Sequence, residues 1–190
     1  MTKALSVSLL LIASSVNANY IYEANQNLFD LTNQTGTTNM AASDDGVSSA
    51  FNLDFTFTFY GEDFTSARMA TNGCLHFGSS GYHCNDYTPD PLPEITYTLY
   101  PFWTDLIRDS NSKVLAKNFT DKTVFGWYDL REYSRESDNT FEVILWKSDD
   151  SFEFRYGALD IIQHDVLIGC LLYTSPSPRD VEESRMPSSA

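Results

Sequence analysis

Cys74 and Cys84 are the residues best placed for covalent chemistry in this chain. In an oxidising compartment the pair closes a short Gly-containing loop as a disulfide, worth roughly 2–4 kcal/mol. Free thiols and a metal site are the alternatives. Zinc is the least favoured, because His76 and His83 stand at offsets that fit no usual ligand spacing. Asp105 and Asp109, with Asn111 and Ser112 following, gather oxygen donors of the kind calcium selects. The competing reading is turn chemistry, in which Asp, Asn and Ser bond their own backbone. Calcium at Asp105 and Asp109 is therefore an expectation to test, and no other cofactor is implied.

Trp103, Trp127 and Trp146 raise sugar stacking, since saccharides lie on exposed aromatic faces. Core packing is the stronger reading for tryptophans in alternating strands. Trp146, opposite Phe141 and Val143, is the one expected to face solvent and is a ligand-binding candidate. Catalysis finds little footing. No Gly-x-Ser-x-Gly elbow, His-Glu-x-x-His or phosphate-cradling Gly loop occurs. His76, His83 and His164 have no evident Ser or Cys partner, and His76, between Leu75 and Phe77, is expected on the solvent side of a strand.

The elements that must carry these residues are short strands. Phe55, Phe57 and Phe59 alternate with Thr56 and Thr58. Phe125 and Trp127 oppose Val124, Gly126 and Tyr128. Phe141, Val143 and Leu145 oppose Glu142, Ile144 and Trp146, and Phe152, Phe154 and Tyr156 follow after a four-residue polar turn. This period of two, broken by Asp-, Ser- and Gly-rich turns, predicts an all-β antiparallel sandwich of jelly-roll type. Residues 19–50 are polar, with Asn33 to Ser49 expected as loop. Pro89, Pro91 and Pro93 force extended or turn geometry on Tyr87 to Glu94. With Asp105 to Ser112, that stretch is a candidate recognition loop, and Tyr87 a second ligand-binding candidate.

Charge and the two ends of the chain bound its surroundings. Among 190 residues, 26 acidic against 12 basic side chains give a net charge of -14. So acidic a chain lacks the basic footprint of a nucleic-acid partner. Residues 1–18 read as an export signal: Lys3, the apolar run Ala4 to Ala13, then small residues ending at Ala18. That run is too short for a bilayer span of roughly 20 residues, so no transmembrane segment is expected in this fragment. From Cys170 the chain turns Ser- and Pro-rich and resembles the translated read-through of a sequencing adapter. Residues 170–190 are thus expected to be a non-native tail, with the native chain continuing past Gly169. Cys170 then leaves the cysteine count even.

Three blocks carry a family resemblance: Phe55-Thr56-Phe57-Thr58-Phe59-Tyr60-Gly61, Ala70-Thr71-Asn72-Gly73-Cys74-Leu75-His76-Phe77-Gly78, and Tyr100-Pro101-Phe102-Trp103-Thr104-Asp105. In this order, with Asn139-Thr140-Phe141 and Ser151 to Tyr156 behind them, they resemble the nidogen-type extracellular domain over residues 51–169. The chain departs from that pattern after Asp105, where Leu106 and Ile107 stand and the next acid is Asp109. The resemblance implies a secreted or cell-surface noncatalytic module. Its expected partner is an extracellular-matrix or cell-surface protein or a glycan. A carbohydrate-binding sandwich, accessory to a secreted enzyme, is the second reading.

Overall fold

The structure, a computed structural model, describes residues 7–14, 17–24, 26–78, 84 and 97–171. Its strands in chain order are β1 (Val7–Ser14), β2 (Asn17–Ala24), β3 (Thr38–Asn39), β4 (Phe51–Phe59), β5 (Glu62–Ala70), β6 (Cys74–His76) and β7 (Thr98–Trp103). There follow β8 (Leu106–Ile107), β9 (Lys113–Asn118), β10 (Lys122–Glu132), β11 (Asn139–Trp146), β12 (Phe152–Tyr156) and β13 (Leu167–Leu171). A single 3-10 turn, Leu31–Asn33, is the only helical element among the described residues.

Alternation sorts these strands into two antiparallel sheets. One runs β2-β1-β12-β11-β10-β9-β3, with β8 added to the far end of β10; the other runs β13-β7-β6-β5-β4. Their facing sides bury the phenylalanines that the period-two pattern places together: Phe57, Phe59 and Phe77 from one sheet meet Phe125, Phe141, Phe152 and Phe154 from the other. Trp127 stacks on Phe141 with centroids 5.0 Å apart, and Phe59 meets Phe152 edge-on at 5.9 Å. Such pairs add to the area they bury. The fold is the all-β sandwich that the pattern predicts.

Each sheet also has a covered outer side, which simple alternation does not show. On the first sheet, Val124, Tyr128 and Ile144 form a second cluster with Leu31 and Leu115, flanked by Phe29, Phe119 and Trp146. The polar segment after β2 therefore has a job in the fold, because Leu31 is fully buried and Met40 nearly so. On the second sheet, Ala70, Cys74, Cys84, Tyr100 and Trp103 pack together. This corrects the expectation for His76. It shares its strand face with Cys74, so it is 3% exposed, with Nδ1 3.0 Å from the Thr98 hydroxyl.

At the ends of the chain, β1 takes up much of the apolar run read as an export signal and pairs with both β12 and β2. β13 closes the edge beside β7 and runs through Cys170, whose Sγ lies 3.3 Å from the Tyr60 hydroxyl. No helix among the described residues is long and apolar enough to cross a membrane.

Candidate functional site

The Thr-Asn-Gly turn and the Pro-Phe-Trp-x-Asp block meet at one end of the sandwich. Gly73 sits at φ +81°, and a Cβ there would lie 2.2 Å from the Phe102 carbonyl oxygen. Only glycine lets the two backbones come this close. Asn72, fully buried beside it, acts as a hub. Its side-chain oxygen accepts from the Leu106 amide at 2.9 Å, its backbone carbonyl accepts from Thr104 at 3.3 Å, and its Nδ2 donates to Asp45 Oδ1 at 2.9 Å. Thr71 adds a bond from its hydroxyl to the Ser43 carbonyl at 2.8 Å. One turn thus aims Asp45 and Asp105 from two different loops.

These carboxylates line a pocket of about 490 Å³ with Asp44, Tyr133, Arg135 and His164. Burial raises the Asp105 pKa; His164 opposes that rise, while Asp45, Asp44 and Glu132 add to it. Burial and the neighbouring Asp45 likewise raise Asp44. Negative charge is held close here at some cost, so a cation entering the pocket is favoured.

The wall opposite is tied down by Glu132. Its fully buried carboxylate accepts from the amides of Ile162 at 2.7 Å, Gln163 at 2.8 Å and His164 at 2.7 Å, and it lies 2.8 Å from His164 Nδ1. Burial pushes this carboxyl upward, but the hydrogen bonds outweigh it and hold Glu132 below the ordinary glutamate value. The other ring nitrogen, Nε2, lies 3.6 Å from Asp105 Oδ2. A carboxylate–imidazole pair can activate a nucleophile. Here a second carboxylate stands on the outer nitrogen, where a Ser or Cys would have to be. The arrangement is built to anchor a loop and present charge.

The family model described as NIDO related matches residues 19–170, which include all of these segments. The chain belongs to that family. It carries a nidogen-type domain, a noncatalytic kind of module, and the blocks behind the resemblance are those that brace the pocket. No curated protein and no solved structure matches the chain.

Within this NIDO-related domain the residues singled out from sequence are dispersed. Cys74 and Cys84 are disulfide-bonded, with Cα atoms 6.4 Å apart and both residues fully buried. Asp105 lines the pocket, whereas Asp109 turns back on its own loop. It accepts from the Asn111 amide at 2.7 Å and the Ser112 amide at 3.1 Å, and those bonds hold its carboxyl below the usual aspartate range. Among the described residues, no group of three or more His, Cys, Asp or Glu side chains is disposed to hold a metal ion.

Trp103 and Trp127 are fully buried, and Trp146 is half-buried on the outer face of the first sheet. It borders a separate cleft of about 310 Å³. Tyr87 and the proline segment lie outside the described residues. Sequence reasoning missed Asp44, Asp45, Glu132 and His164 as a set. Asn72, already inside the quoted Thr-Asn-Gly block, was the available pointer to them.

Proposed function

We propose that this chain is an exported, noncatalytic adhesion module that recognises a basic group on a cell-surface or matrix protein through the pocket of Asp44, Asp45 and Asp105. The observation that supports it is the bracing of that pocket by Asn72. The family's turn and its Pro-Phe-Trp-x-Asp block spend their hydrogen bonds on orienting carboxylates rather than on presenting a nucleophile. Loops held on a rigid sandwich are the usual place for recognition. The disulfide and the family membership support an extracellular setting, and the signal-like start supports export.

A surface coated with the chain tests this directly. Cells are expected to attach, and the double variant Asp44→Asn/Asp105→Asn is expected to cut attachment about tenfold, the loss that follows removal of a central charged contact. The same variant should melt no lower than the parent, because it relieves crowded carboxylates. Attachment that survives the double change removes the pocket from the reading. A parent chain that retains no cells overturns adhesion itself.

A further inference from the structure

We propose that the cleft beside Trp146 binds the ring of a neutral saccharide. The cleft has the two surfaces such a ring needs. One is an aromatic wall, since Trp146, half-buried at the end of β11, lines the cleft. A pyranose can lay its C–H face on that ring. The other is a set of fixed polar groups for the hydroxyl rim. Glu153, only 7% exposed, is gripped by Arg155 through two bonds, Nε to Oε1 at 2.8 Å and Nη2 to Oε2 at 3.2 Å. Arg155 is itself held by the Asn27 carbonyl at 2.7 Å and by the Phe29 ring, 4.4 Å from its guanidinium carbon. Asp149 is fixed by Ser151, whose hydroxyl donates to it at 2.7 Å and whose amide donates at 3.2 Å. Groups already locked lose little freedom on binding, which is what lets a shallow site hold a polar ligand.

Charge selects among ligands. Among the described residues Arg155 is the one cation lining the cleft, facing Glu23, Asp149 and Glu153, so an acidic sugar finds no spare cation. A cationic ligand would compete for an indole that Lys122 already serves, its Nζ lying 4.8 Å from the Trp146 ring. A neutral ring with many hydroxyls is the chemistry left over, and carboxylates are strong acceptors for hydroxyl donors. The volume, about 310 Å³, is at the small end of ligand sites and fits one or two sugar rings. Among the described residues the cleft shares no lining residue with the acidic pocket, so the sugar site stands apart from the adhesion reading.

The other two tryptophans are fully buried, so a sugar-dependent change in indole fluorescence reports on Trp146. The full chain is titrated with methyl β-glucoside, methyl β-galactoside, methyl α-mannoside and N-acetylglucosamine. Saturable binding of at least one, at about millimolar strength, is expected. Saturation-transfer NMR on the sugar protons then reads the variants. Trp146→Ala and Asp149→Ala should each weaken binding about tenfold, Trp146→Phe should lose less, and Asp105→Asn should change nothing. The proposal fails if no sugar of the panel saturates, if Trp146→Ala binds like the parent, or if tetramethylammonium displaces the sugar.

Discussion

Glu132 and Glu142 are both fully buried, both lie on strands of the same sheet, and both fasten a distant segment onto it. Their acidities move in opposite directions. Glu132 receives three consecutive amides and stands against the His164 ring, which together outweigh burial and lower its pKa. Glu142 receives the Phe29 amide at 2.8 Å, the Asp30 amide at 2.9 Å and the Tyr128 hydroxyl at 2.6 Å. Burial is the largest influence on Glu142 and raises its pKa despite those donors and the nearby Arg155. The balance between desolvation and donors separates them: beside the pocket Glu132 gains more from its donors than burial takes away, whereas at Glu142, deep behind the docked segment, desolvation wins over three donors. The first glutamate shapes the acidic pocket as a stable anion. The second, its pKa raised by burial, docks the segment that carries Phe29 under Arg155 beside the sugar cleft.

Replacing each acid by its amide tests the contrast most forcefully. Glu132→Gln turns one acceptor oxygen into a donor that faces donors, and it leaves buried amides unmet. A loss of about 3 kcal/mol in urea denaturation is expected, with faster hydrogen exchange at residues 162–164. Glu142→Gln keeps one oxygen for Asp30 and Tyr128 and gives up the bond from Phe29. Its expected cost is about 1 kcal/mol, with exchange rising near Phe29 instead. Equal losses for the two variants would mean that the two carboxylates depend equally on their donors.

How much of this could be read from the residues depends on whether an interaction is periodic. The inner core could be, because Phe55 to Phe59 and Phe141 to Leu145 repeat every second position and one face must be buried. The Cys74–Cys84 bridge could be, since the two lie close in sequence. The same alternation misleads at Glu142, which falls on the face that looks solvent-exposed. It becomes buried because Phe29 and Leu31 dock there from a segment with no period of its own. Glu132 and His164 meet across 32 positions, and no local pattern encodes a contact at that separation. Trp146 was legible as the least buried of the three tryptophans, but Glu153 and Arg155, which line the same cleft, looked like ordinary strand residues.

The finest test of the contrast is its pH dependence. A glutamate with a lowered folded pKa stabilises the fold above the ordinary glutamate range, and that contribution disappears as pH falls through the folded value. The penalty of Glu132→Gln should therefore hold from neutral pH down to the ordinary glutamate range and shrink only below about pH 4. Glu142 has the opposite sign. Its raised folded pKa favours the native state at acidic pH, and the benefit is lost as pH rises through that folded value. The penalty of Glu142→Gln should accordingly shrink towards neutral pH. Parallel urea titrations of the parent and both variants across this range would show the two penalties trending in opposite directions. Penalties that run parallel would mean that the two carboxyls are shifted the same way, and the division between a hook with lowered pKa at the pocket and one with raised pKa behind the cleft would fall.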